Sequence, residues 1–208
     1  MSHGFFMNME KLSLNIARSH AFQMTNDIMY DDVFLDDEKL INNLENGFVV
    51  ITQLSTFFES FVNTILSNCI KYTGEVLLKC SIEEKIEIIF MNYKKDWNTI
   101  KGQNPWANFK KVTKVRNEMI HYKKNFIGNG SGIPNFSIAK ISVREFFIQD
   151  NMNYLIDEFI KLGDLIASEL GLKIFKDINI IECDGRDGLT NYIYDETIHE
   201  IDESRFNN

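Results

Sequence analysis

The stretch Lys110–Lys124 reads K-K-V-T-K-V-R-N-E-M-I-H-Y-K-K. On a helix it sorts into two faces. Val112, Val115, Met119 and Tyr122 recur at helical spacing on one side, the pattern of a face that enters a core. Lys110, Lys114, Asn117, His121 and Lys124 recur on the other, a cationic stripe with an amide and a histidine in it. Arg116 stands about 100° round from Asn117, and its long stem lets the guanidinium swing toward the stripe. The segment therefore predicts an amphipathic helix that packs through one face and presents charge on the other.

Upstream, Asn104-Pro105 predicts the start of this helix. Asn serves there as N-cap, and Pro occupies the first turn, where its missing N–H costs nothing. Trp106 and Phe109 are its expected anchors, and Lys123 and Lys124 sit at its expected C-terminal end, where cations suit the helix dipole. Asp96–Gln103 reads as a polar connector, and Ser81 with Glu84 as a capping box opening a short helix through about Asn92. From Lys94 to Lys124 there are nine basic and two acidic residues, a net +7, whereas the remaining 13 basic and 28 acidic residues carry −15. An acidic body with one basic window concentrates anion attraction in one place.

Further out, Phe5, Met9, Leu12 and Ile16 mark an amphipathic helix within residues 4 to 26. A long helix is predicted from about Glu38 to Tyr72, capped by Asp36 or Asp37 and stopped by Gly74, with Asn46-Gly47 a candidate bend. It contains Glu59 and Asn63, four residues apart on one face among phenylalanines. Gly128-Asn129-Gly130-Ser131-Gly132 lacks the G-K-[ST] of a phosphate loop and reads as turn chemistry. Phe136, Ile138 and Ile141 border a short extended piece, and Ser142 with Glu145 resembles another capping box. The last core helix is predicted over Asn151–Leu170, with Leu155, Phe159, Leu162 and Ile166 as its stripe and Gly171 as its stop. Residues 177–208 carry nine acidic and two basic residues and read as a hairpin with a disordered end.

The expected architecture is thus an all-α bundle of about five helices with a short extended insert, over residues 1–175, followed by an acidic C-terminal appendage at 176–208. With 17 Phe and 44% hydrophobic residues the core is well supplied, and 2 Pro and 11 Gly argue against a loop-rich chain. No apolar run is expected to approach the ~20 residues of a membrane span, and Met1–Glu10 lacks the layout of a signal peptide. Cys69, Cys80 and Cys183 are odd in number and not in C-x-x-C spacing, which excludes a disulfide framework or zinc site and sets the expectation of a cytoplasmic protein. His3, His20 and His199 are scattered and read as surface histidines. No metal or other cofactor is expected.

Arg116, Asn117 and His121 suit one chemistry. RNA cleaves when its 2′-OH attacks the adjacent phosphate, which requires a base, an acid and charge stabilisation. Histidine titrates near neutrality and can act as acid or base. Arginine is a permanent forked donor to phosphate oxygens. Asparagine can donate to the same oxygens or fix the histidine ring, and Lys110 and Lys114 can hold flanking phosphates. One histidine cannot be both acid and base in one step, and a two-fold dimer supplies the second.

The sequence R-N-x-x-x-H at Arg116–His121 resembles the R-x(4–6)-H signature of the HEPN superfamily, with the similarity extending over roughly Leu40 to Leu170. That resemblance implies a helical-bundle fold, a homodimer pairing its Arg/His helices, and metal-independent endoribonuclease activity of a toxin or antiviral-defence type, with an antitoxin or nucleotidyltransferase as a possible partner. It also implies that Glu59, in its F-x-E-x-x-x-N context, orients Arg116 or the paired helix. Some toxin members carry a tyrosine two residues after the histidine, the target of inactivating nucleotide transfer. Here that position is Lys123 and the tyrosine is Tyr122, which puts such regulation in doubt. Two other readings stand beside this one: a catalytically silent module binding RNA, nucleotide or protein, and a helical interaction protein whose Arg116 and His121 pair with surface carboxylates.

Overall fold

A computed structural model describes residues 9–28, 37–69, 79–121 and 137–172. Its elements are α1 (Met9–Phe22), α2 (Asp37–Cys69), α3 (Ile82–Asn92), α4 (Asn98–Lys101), α5 (Asn104–Ile120), β1 (Ser137–Ile138), β2 (Ile141–Ser142), α6 (Val143–Phe146) and α7 (Gln149–Leu170). The described residues form an all-α structure with one two-stranded antiparallel ribbon. The expected hairpin at 177–208 lies outside the described residues.

The 33-residue α2 is the spine, and α1, α3, α5 and α7 all pack on it. Its Glu38–Ser67 portion is long and apolar enough to cross a membrane by length and composition. In the bundle that apolar surface is core: Ile51, Leu54, Phe57, Phe58, Phe61, Val62, Ile65 and Leu66 are buried against its neighbours. The helix continues through Asn46-Gly47, the candidate bend. Gly47 instead allows a close approach: a Cβ there would lie 2.2 Å from Phe147 Cδ1.

Beside Gly47, Asn43 is wholly buried and fully used. Its amide nitrogen donates to the carbonyls of Thr25 (2.7 Å) and Phe147 (2.8 Å), and its oxygen accepts from the Thr25 N–H (3.0 Å). A buried amide with all its partners holds three segments in one arrangement. Asn46 continues the seam. Its amide nitrogen donates to Asn42 O (2.9 Å) and Asn42 Oδ1 (3.0 Å), so its oxygen is the acceptor facing His20 Nδ1 at 2.7 Å. His20 is therefore a half-buried, hydrogen-bonded residue and not the surface histidine expected. His3 and His199 lie outside the described residues.

The face of α1 is also rotated from expectation. Leu14, Ala17, Ala21 and Ser13 are buried, whereas Met9 is exposed and Leu12 and Ile16 only half-buried. Small side chains let α1 sit close to α2, and close approach outweighs the larger residues on its flank.

The capping box of α3 is present: Glu84 N–H donates to Ser81 Oγ (3.3 Å), and Ser81 N–H donates to Glu84 Oε2 (2.7 Å). Ser81 Oγ also donates to Glu84 Oε2 (2.7 Å), and this bond first, then the one from the Ser81 N–H, lowers the Glu84 carboxyl pKa. The polar connector of the sequence reading is a folded turn, α4, because Trp97 and Ile100 are buried within it. α7 carries the expected stripe, with Leu155, Phe159, Leu162 and Ile166 all buried, and ends at Gly171 in the left-handed conformation (φ 71°). Ser142 precedes α6 without making a side-chain cap, unlike the capping box expected there.

Gly47→Ala tests the close approach. An interior helical Gly→Ala change ordinarily gains up to about 1 kcal/mol. Here overpacking against Phe147, typically about 1–3 kcal/mol, should reverse the sign. Urea unfolding should show a net loss of stability; a gain would remove Gly47 as a packing constraint.

Candidate functional site

The site helix is α5, and its roll is fixed by aromatic rings. Phe109 lies 4.7 Å from Phe58 of α2, 5.8 Å from Phe159 of α7 and 4.8 Å from Trp106, ring centroid to centroid. Trp106 continues to Trp97 at 4.9 Å and thence to Phe90 at 5.2 Å. Val112 and Val115 extend the buried face and Met119 packs against it, so Lys110, Lys111, Lys114, Asn117 and Glu118 face outward as a row. Tyr122, the last member of the predicted core face, lies outside the described residues.

Both ends of the helix differ slightly from the sequence reading. α5 begins at Asn104, with extended Gln103 before it as N-cap and no side-chain cap; Gln103 donates to Thr99 O instead (2.8 Å). It ends at Ile120. His121 is the exposed C-cap, its N–H donating to Asn117 O at 2.9 Å, so the histidine closes the helix and is not inside it. Lys123 and Lys124 lie outside the described residues.

Arg116 reaches its neighbour. Its Nη1 donates to Asn117 Oδ1 at 3.3 Å, while its Nε is buried without a partner. The side chain is thus rooted at the core edge with its tip turned toward the stripe. Among the described residues no carboxylate pairs with it. Lys114 likewise is exposed and has no ion pair among the described residues.

The acids near α5 are engaged elsewhere. Glu118 accepts from the Ala139 N–H and so anchors the β1–β2 ribbon. That ribbon pairs Ser137 with Ser142 and Ile138 with Ile141, leaving Ala139 and Lys140 as its two-residue loop at φ 56° and 63°. Such a turn needs two left-handed residues, each costing roughly 1–2 kcal/mol when not glycine, and Glu118 helps offset that. Glu83 of α3 is 2.7 Å from Lys101 and 3.7 Å from Lys110. Lys110 also lies 5.7 Å from the Trp106 ring centroid, and Lys111 5.0 Å from that of Phe146.

Glu59 faces α3 and not α5. Its Oε1 is 4.0 Å from Lys85 Nζ, and the buried Lys85 donates to Asn63 Oδ1 at 2.9 Å. The spacing of Glu59 and Asn63 does place both on one face, but the group they meet is Lys85 and not Arg116. On the other flank, which the sequence reading passed over, Asn108 donates to Tyr154 Oη (3.1 Å) and Glu158 Oε2 (3.0 Å) of α7. The available signal was that Tyr154 and Glu158 are four residues apart on α7, as in a helix-facing pair.

Among the described residues no group of three or more His, Cys, Asp or Glu could hold a metal ion. Comparison of the chain with protein-family models, with curated proteins and with solved structures gave no match.

Glu83 carries a pH prediction. The Lys101 hydrogen bond chiefly lowers its carboxyl pKa below 4.5, with Lys110 adding to it and partial burial opposing. A carboxyl depressed in the folded state stabilises above its unfolded pKa and stops doing so as pH falls through the folded value. Glu83→Gln should therefore cost about 0.2–1 kcal/mol at neutral pH, the range of surface ion pairs, and nothing in strong acid. Urea midpoints at both pH values check this; a pH-independent difference would contradict it.

Proposed function

We propose that the chain is a metal-independent endoribonuclease acting as a two-fold homodimer, with the exposed face of α5 as its RNA site and a toxin or defence role of the HEPN type. The observation that carries this reading is the Arg116–Asn117 pair. An arginine with a partly buried root, a neutral amide for a neighbour and no carboxylate among the described residues is left with its charge unspent. Its fork suits the non-bridging oxygens of a phosphate.

In the proposed reaction the substrate 2′-OH attacks the adjacent phosphorus. His121 of one protomer takes the hydroxyl proton as the O–P bond forms, and His121 of the other protonates the departing 5′-oxygen. Arg116 stabilises the charge that accumulates on the phosphorane oxygens, and Asn117 holds the guanidinium toward them. Lys114, without an ion pair among the described residues, offers its charge to a flanking phosphate. Lys110 offers a weaker one, since Glu83 shares it. An antitoxin or nucleotidyltransferase partner belongs to this reading as an expectation of the resemblance.

A second reading, a silent RNA-binding module, draws on His121. Its side chain is exposed and makes no hydrogen bond among the described residues. A general base is ordinarily oriented by a third group, and a partner protomer or the substrate would have to supply it.

Purified protein incubated with RNA in EDTA separates the two. The nuclease reading expects products with 2′,3′-cyclic phosphate and 5′-hydroxyl ends, and no cut at a 2′-deoxy position. His121→Ala should slow cleavage roughly 10²–10⁴-fold with the fold intact, and Arg116→Lys should rescue Arg116→Ala only in part. Lys114→Ala should weaken binding and flatten its salt dependence. Cleavage that survives both alanine changes at Arg116 and His121, or that needs a divalent metal, would sink the catalytic assignment.

A further inference from the structure

Tyr154 of α7 is 48% exposed, yet its hydroxyl is not free. Asn108 Nδ2 donates to it at 3.1 Å and to Glu158 Oε2 at 3.0 Å. Glu158 is only 7% exposed, and Lys161 Nζ lies 3.5 Å from its other oxygen. The ring is therefore held by its tip through Asn108 to the buried Glu158, while much of its surface faces solvent. Tyr154 is not part of the core stripe of α7, which runs through Leu155, Phe159, Leu162 and Ile166.

The position of the tyrosine relative to α5 gives it meaning. Residues three apart form a continuous oblique ridge on a helix surface. Starting at Asn108, that ridge runs through Lys111 and Lys114 to Asn117. Tyr154 stands at one end of it and the Arg116–Asn117 pair at the other. Nine residues at 1.5 Å each separate Asn108 from Asn117, about 14 Å along the axis. That is the reach of a short strand segment, too long for a single nucleotide.

Two exposed ammonium groups between an anchored aromatic ring and an arginine form the combination that single-stranded nucleic acid uses. Cations track the backbone, and a flat ring receives an unstacked base. A duplex offers no base face, because its bases already stack on one another and its edges lie in the grooves. We infer that Tyr154 is a base-stacking platform, and that the RNA taken by the α5 face is single-stranded. This rests on the RNA reading of that face proposed above and adds the substrate class. Stacking is tolerant of base identity, since every base has a π-face. The platform therefore confers preference for unpaired RNA, not for a sequence.

The test is fluorescence anisotropy with a labelled single-stranded oligoadenylate, a labelled RNA duplex of the same length, and inorganic polyphosphate as a competitor that has no bases. The single strand should bind more tightly than the duplex. Tyr154→Ala should weaken single-strand binding roughly 5- to 150-fold, the range of one base–aromatic stack. Duplex affinity and polyphosphate competition should hardly change. Tyr154→Phe, which keeps the ring, should retain most of the affinity. Tyr154→Leu keeps apolar bulk without a flat ring, and it decides the matter if circular dichroism shows that the alanine variant has lost its fold. Unchanged single-strand affinity in the alanine or leucine variant, or an equal loss toward polyphosphate, would overturn the stacking role. Failure of the RNA reading looks different: Lys114→Ala and Arg116→Ala would then leave oligoadenylate and polyphosphate binding alike unaffected.

Discussion

Phe109 fixes the roll of α5. It sits between Phe58 and Phe159, with Trp106 beside it on its own helix, so it ties the site helix to both the spine and the last helix. Each such aromatic pair contributes roughly 0.5–1.5 kcal/mol beyond the area it buries. Several pairs on one ring make rotation of the helix costly. Every statement about which residues of α5 face outward follows from this contact. A turn of about 100° would carry the lysine row away from its present face and bring the valines toward solvent. Trp97 and Phe90 extend the same ring chain to α3, which is how Glu83 comes to lie beside Lys110.

The electrostatics of the outward face follow from where the carboxylates go. The chain as a whole is acidic, at −8, and an acidic protein attracts a polyanion only where its acids are drawn aside. Glu118 lies on the exposed side of α5, with its carboxylate turned to accept the Ala139 N–H. Glu83 is shared between Lys101 and Lys110, which raises the Lys101 pKa chiefly through its hydrogen bond. Glu59 is turned to Lys85. Lys114 and Arg116 are left as charges without carboxylate partners among the described residues. The division gives the lysines different characters: Lys110 is held in place by Glu83 and Trp106, whereas Lys114 stands clear.

Local signals in the sequence were sound where local physics decides. The two faces of α5, the capping box of Ser81 and Glu84, the stripe of α7 and the glycine that stops it all rest on periodicity or on backbone groups within a few residues. Distant partners leave no such local mark. Asn43 reaches across 104 positions to Phe147, and nothing local marks either residue as half of a clamp. The buried face of α1 is chosen by how closely Ser13, Ala17 and Ala21 approach α2, which larger side chains on the flank obscure. Trp97 made a turn out of what its polar neighbours suggested was a connector. At the site the same boundary applies. The spacing of Arg116, Asn117 and His121 was legible, and so was the outward row of lysines. The commitment of Glu59 to Lys85 and the anchoring of Tyr154 by Asn108 depend on tertiary contacts that no spacing rule expresses.

We propose that RNA meets this protein along the outward face of α5. Amide chemical shifts of the isotopically labelled protein, followed by NMR as single-stranded RNA is added, test it most directly. Saturable shifts are expected at Asn108, Lys111, Lys114, Asn117 and His121, with the α1–α2 seam around Asn43 and Asn46 unmoved. Shifts that gather on another surface, or a spectrum that does not respond to RNA, would contradict it.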